Sequence, residues 1–156
     1  MTRSVGAGII GMLIAAASEG PGSNRFDAAA SKYPVDVRAV FQRRLEAALR
    51  ISPLKLVKEN ADTTLSVEIH AYGVGPVKSH ELGAAVSATA KLLGPNGATI
   101  WKKFEWAAST TTARLVTIEE NPKLWPRMMD EAADGLARKL VLETEKQAAT
   151  VPAPLS

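Results

Sequence analysis

The sequence predicts an α+β fold, a two-layer sandwich in which a mainly antiparallel sheet of three to four strands carries two helices on one face. Three observations predict it. Apolar residues recur at three- and four-residue steps near both ends of the chain. Between them, apolar and polar residues alternate with a period of two in three consecutive stretches. Short connections between those stretches favour antiparallel pairing of sequence neighbours.

The elements follow in order. Residues 1–24 form an apolar Gly/Ala-rich segment and linker, in which an apolar run, broken by Gly6, Gly8 and Gly11, extends from Val5 to Ala17 behind the single basic residue Arg3. Ala15-Ala16-Ala17 suits a signal-peptidase site. A helix packed on the domain and an apolar tail are the competing readings. The run has 13 residues, against about 20 for a membrane-spanning helix, so no permanent span is expected. Glu19 to Asn24 is a turn or linker, because Gly-Pro-Gly-Ser cannot continue a helix. Residues 25–148 read as a single α+β domain and 149–156 as a tail.

Arg25 to Ser31 suits a helical turn, ended near Tyr33-Pro34 because a residue before proline avoids the helical region. From Pro34 to Arg50, Val37, Val40, Phe41, Leu45, Ala48 and Leu49 make one apolar stripe, leaving Arg38, Arg43, Arg44, Glu46 and Arg50 mostly toward solvent. Leu54, Leu56 and Val57 suggest a short strand, and Glu59 to Asp62 a turn. Leu65, Val67, Ile69 and Ala71 then alternate with Ser66, Glu68, His70 and Tyr72. Gly73 to Pro76 is read as a break and Val77 to Glu81 as polar loop.

The next strand buries Ala84, Val86, Ala88, Ala90 and Leu92. Gly94-Pro95-Asn96-Gly97 is a hairpin turn. On the return strand, Thr99 to Trp106, the alternation puts Ile100, Lys102, Phe104 and Trp106 on one face and Trp101, Lys103 and Glu105 on the other. Phe104 and Trp106 are expected in the core, and the far face of the sheet is expected to be polar and wet. Ala107 to Thr117 reads as an exposed loop or a frayed strand extension. Trp125, Met128, Met129, Ala132, Leu136, Leu140 and Val141 form the last helical stripe, to about Lys146. Gly135 lies inside it, which close packing on the sheet would explain.

The composition narrows function. There is no cysteine, so disulfides, zinc fingers, iron–sulfur clusters, thiol catalysis and a lipidated cysteine in this chain are excluded. There are 26 alanines and only eight aromatic residues, which implies a thin, closely packed interior. A net charge of +3 is too mild to argue for nucleic acid. His70 and His80 are the only histidines, and no carboxylates stand at a metal-ligand spacing from them. No nucleophile elbow or phosphate loop is present. No catalytic residue, cofactor or metal is therefore expected. The candidate partner surface is Tyr72, Trp101 and Lys103 on the sheet, with Arg43 and Arg50 on the basic side of the first long helix.

From Pro34 to Lys146 the chain resembles a group of small bacterial periplasmic and outer-membrane lipoproteins, similar to the curli-secretion and lipopolysaccharide-assembly lipoprotein classes. The resemblance rests on Ala61 to Ile69 (ADTTLSVEI), Tyr72-Gly73, Lys91-Leu92-Leu93 before Gly94 to Gly97, Trp101, and Ala132-Ala133 followed by Leu136-Ala137. It implies a non-catalytic cell-envelope protein, periplasmic or outer-membrane associated, acting through protein–protein contacts in assembly or transport. This chain lacks the lipobox cysteine and the strand usually placed before the first helix. The missing strand leaves a sheet edge open to a partner strand or to a second copy. Peripheral membrane association fits the same reading. The alternatives are a small nucleic-acid or anionic-ligand binding module using the basic helix with Lys102 and Lys103, and a hydrolase dependent on His70 or His80.

Overall fold

The computed structural model describes residues 24–54, 63–78 and 80–150. The apolar run Val5 to Ala17, the strand candidates Leu56 and Val57, and residues 151–156 of the tail lie outside the described residues.

The chain order is α1 (Asn24–Ala30), α2 (Val37–Arg50), β1 (Thr64–Lys78), β2 (Glu81–Leu93), β3 (Thr99–Ala108), α3 (Leu115–Glu120) and α4 (Leu124–Thr150). The three strands form one antiparallel sheet in the order β1-β2-β3. The fold is α+β, as the sequence pattern predicts.

Helix α2 begins at Val37 and not at Pro34, because the Asp36 carboxylate accepts from the Ala39 N–H, 3.1 Å away, and caps the helix there. Its stripe of Val37, Phe41, Leu45, Ala48 and Leu49 is buried. Helix α4 buries Met128, Met129, Ala132, Ala133, Leu136, Ala137, Leu140 and Val141. These two stripes share one continuous core with Leu65, Val67 and Ile69 of β1 and with Ala84, Val86, Ala88, Ala90 and Leu92 of β2. A Cβ built on Gly135 would stand 3.5 Å from the Ala107 Cβ, so this turn of α4 comes close to β3.

Arg44 of α2 clasps Asp130 of α4 through two nitrogens, with Nε 2.8 Å from Oδ1, and Asp134 also accepts from Arg138 at 3.0 Å. The guanidinium of Arg44 is thus only partly on the solvent side, and its hydrogen bond to Asp130 raises its already high pKa.

Four expectations need correction. Strand β1 is not broken at Gly73 to Pro76; it runs to Lys78, β2 starts at Glu81, and His80 turns the chain with φ 65°. Ala107 to Thr117 is not an exposed loop, and strand extension describes only its start: β3 continues to Ala108, Ser109 and Ala113 are buried, Ala113 bridges Leu82, and α3 follows. Within β1 one extra residue, His70, enters between the pairs Ile69↔Ala88 and Ala71↔Ser87. That bulge moves Tyr72 and Val74 to the helix side, against the core, where Ala71 was expected.

The fourth correction concerns β3. Ile100 is an extra residue between the pairs Leu93↔Thr99 and Leu92↔Trp101. A one-residue slip exchanges the two faces of a strand. Trp101 therefore packs against the core and Ala107 is buried, while Phe104 is 55% and Trp106 57% exposed. The two aromatics expected inside are outside.

Candidate functional site

Two neighbouring features stand out from the bare fold. The first is the outer edge of β1. Among the described residues no strand pairs with it. Along Tyr72-Gly73-Val74-Gly75-Pro76 this edge is flanked by hollows on both sides. On the helix side, a cavity of about 440 Å³ is lined by Tyr72, Gly73 and Val74 together with Phe26, Val35 and Trp125. Next to it, one of about 350 Å³ is lined by Val74, Gly75, Pro76, Phe26, His80 and Leu115. Phe26 is held between them by an edge-to-face contact with Trp125 at 5.0 Å. On the opposite side of the sheet a trough of about 220 Å³ runs over Ala71, Gly73, Gly75, Ala85 and Ser87 beside Trp106. Glycines at 73 and 75 leave that trough without side chains to fill it.

The second feature is the sheet face that no element covers among the described residues. Strand β3 presents Lys102, Phe104 and Trp106 at every second position, with Ile100, 45% exposed, at the bulge. Across on β2 stand Lys91, Thr89 and Ser87, in register with Lys102, Phe104 and Trp106. His70 of β1 shares a hydrogen between Nε2 and the Thr89 hydroxyl at 2.6 Å and lies 6.1 Å from the Phe104 ring. Lys139 of α4 reaches round the β3 edge, donating to the Trp106 carbonyl at 2.7 Å with its ammonium 5.4 Å from the Trp106 ring. The face expected to be polar therefore carries the largest exposed apolar side chains of the sheet.

The residues singled out in the sequence are not gathered together. Tyr72 is half-buried on the helix side, bordering the larger cavity. Trp101 is half-buried on the same side, but six pairings further along β2, roughly 20 Å by strand rise. Lys103 is exposed on β3. Arg43 and Arg50 are exposed on α2, Arg50 lying 3.9 Å from Glu46. Sequence reasoning placed Lys91 on the open face but missed Phe104 and Trp106 as surface residues and Lys139 as their neighbour. It also missed the depth around Gly73 to Gly75. No residue signature marks either bulge, so the inversion of β3 had no local sign.

For chemistry, the two histidines occupy different places. His70 is bonded to Thr89 mid-strand, and His80 is exposed at the β1–β2 turn. Among the described residues no three His, Asp or Glu side chains are grouped to hold a metal ion. Charged side chains are used instead as clasps. Glu131 of α4 accepts from the Thr111 N–H at 2.7 Å and the Thr111 hydroxyl at 2.8 Å. Partial burial works against its charge, but these bonds and Arg127 outweigh that and lower its pKa. Arg25 pairs with Glu119, tying α1 to α3, and lowers the pKa of that carboxyl.

No family model matches this chain, and no curated protein does. Solved structures are similar in fold. A hypothetical protein from Chlamydia trachomatis is 14% identical with a TM-score of 0.60, over 90% of this chain and 96% of that one. A minor lipoprotein from Acinetobacter baumannii is 18% identical with a TM-score of 0.55, over 76% and 91%. A Xanthomonas campestris protein of family DUF330 is 14% identical with a TM-score of 0.54, over 72% and 65%. At these identities the likeness is one of fold.

Proposed function

We propose that this chain is a non-catalytic bacterial cell-envelope protein, periplasmic or outer-membrane associated, that works by docking a partner protein in envelope assembly or transport. Within that class, the resemblance to the curli-secretion and lipopolysaccharide-assembly lipoproteins supplies the model for its role. The single observation that carries the reading is the β1 edge, unpaired among the described residues, with hollows on both sides of Tyr72 to Pro76. An edge strand offers a row of backbone donors and acceptors to an incoming strand. Side chains of that strand alternate between faces. One set would enter the cavities beside Phe26, and the other the glycine-lined trough. The opposite edge is less inviting, because Lys139 already occupies the Trp106 carbonyl.

The test is photocrosslinking in the native cell from benzoylphenylalanine placed at Tyr72, with the same probe at Arg38 as control. A discrete adduct from position 72 alone, in the envelope fraction, is expected. A homo-oligomer through the same edge gives an adduct of twice the chain mass. Cytoplasmic recovery, or equal adducts from both positions, overturns the reading.

A further inference from the structure

The edge of β1 leaves the uncovered sheet face unexplained. We propose that this face lies against an anionic lipid bilayer, with Phe104, Trp106 and Ile100 at the headgroup–acyl boundary and Lys91, Lys102 and Lys139 reaching lipid phosphates. The proposal rests on the envelope reading for its setting and assigns a different surface from the partner edge.

Charge and shape carry it. Lys91 and Lys102 are directly paired across β2 and β3, an arrangement in which like charges repel. Neither makes an ion pair or hydrogen bond among the described residues. Lys139 adds a third cation beside Trp106. Against these, Glu68 is the acid on the central part of the face, and it is turned toward His70, 4.0 Å away. The uncompensated cations therefore call for an anionic surface. They also bracket the aromatic pair, with Lys91 and Lys102 toward the hairpin and Lys139 at the far end.

Long lysine stems lie along apolar surface while their ammonium groups reach outward, and aromatic rings favour the bilayer interface. Phe104 and Trp106 are about half exposed at neighbouring positions of one face, and Ile100, 45% exposed, lies further along β3 at the bulge beside the hairpin, whereas soluble surfaces carry large apolar side chains singly. Single-stranded nucleic acid would use the lysines and rings but not aliphatic Ile100 or the apolar trough beside Trp106.

The experiment is co-sedimentation of the full purified chain with vesicles of phosphatidylcholine, with and without phosphatidylglycerol, at two salt concentrations. Selective, salt-sensitive binding to the anionic vesicles is expected. Phe104→Ser with Trp106→Ser should weaken it more than tenfold. Lys91→Gln and Lys102→Gln should each weaken it about fivefold. All variants keep the apolar amino-terminal run, so losses report on the face, and unchanged melting temperatures confirm that they fold.

Absence of anionic-vesicle binding overturns the proposal, as does full binding by the double aromatic variant. Oligonucleotide binding without vesicle binding assigns the face to nucleic acid instead. Self-association lost in the aromatic variant, again without vesicle binding, assigns it to a second copy. Because the vesicle assay needs no cell, its outcome is independent of the crosslinking result: either reading can fail while the other stands.

Discussion

The two faces of the sheet are built by opposite rules. The helix-covered face is made largely of small or aliphatic residues, among them Ala84, Ala88, Ala90, Leu92 and Ala107. The open face carries Phe104 and Trp106, two of the eight aromatics in the chain. Helix α4 explains the division. The middle of its buried side is Ala132, Ala133, Leu136 and Ala137, with Gly135 close to Ala107. A helix that close leaves no room for an indole at Ala107, since interiors are packed to crystal density; the aromatics of the covered face, Tyr72 and Trp101, are only half-buried, and Trp101 lies six residues from Ala107 along β3. Bulk is therefore displaced outward, and the difference teaches that hydrophobic content alone does not say which face of an edge strand is dry.

The largest expected effect tests that division directly. Leu92→Ala, on the covered face and fully buried, should cost about 2–5 kcal/mol in denaturant unfolding. Phe104→Ser and Trp106→Ser, at half-exposed positions, should stay within about 0.5 kcal/mol. Comparable losses on both faces would break the comparison.

A second effect concerns how the loop after β3 is held to the covered layer. Glu131→Gln weakens the charged bonds to Thr111, and charge-assisted hydrogen bonds contribute about 1.5–3 kcal/mol. The folded Glu131 carboxyl titrates below its ordinary value of 4.5. Its contribution is thus present above that value and is lost as pH falls through the folded pKa. The gap between parent and variant should be full at neutral pH and close in acid. Melting curves between the two conditions check it, and a gap that widens on acidification would refute the assignment.

Much of this fold was legible in the sequence, and the illegible part has a definite cause. The stripes of α2 and α4 have a helical period and one dry side, so Phe41, Leu45, Leu136 and Leu140 declare themselves. Central strand β2 is pinned by neighbours on both edges, and its alternation is kept from Ala84 to Leu92. The edge strands differ. His70 and Ile100 each insert one residue, and each insertion turns over everything that follows it. Without the Ile100 bulge, the hairpin register would pair Leu92 with Ile100 and carry Phe104 and Trp106 inside. The lysine and aromatic residue types were visible, but their common face was not, because it depends on a register that neither residue encodes.

A smaller effect sharpens the account of why bulk is excluded. Gly135 is helical, and the Cβ it lacks would meet Ala107 at 3.5 Å, an ordinary van der Waals distance. Gly135→Ala should therefore stabilise by up to about 1 kcal/mol, through helix propensity and a less free unfolded chain. Gly135→Leu should destabilise instead, because its branches would have to enter the contact with β3. If both substitutions stabilised, α4 would not be setting the thickness of the layer.

The smallest effect lies at the rim of the covered layer. Arg44 and Asp130 join α2 to α4 with both side chains partly exposed, at 41% and 37%. Water and salt screen such a pair, so a double-mutant cycle with Arg44→Ala and Asp130→Ala should give a coupling of only about 0.2–1 kcal/mol. Asp134 stands 4.0 Å from Arg44 and takes up part of the charge when Asp130 is removed, which keeps the Asp130 single variant mild. If the coupling instead matched the Leu92→Ala loss, the two helices would be held together by their polar rim, and the dry alanine-rich layer beneath them would be secondary. The buried stripe shared by α2, α4 and the sheet argues for the opposite order: packing sets the position of the helices, and the screened ion pair adds little at their rim.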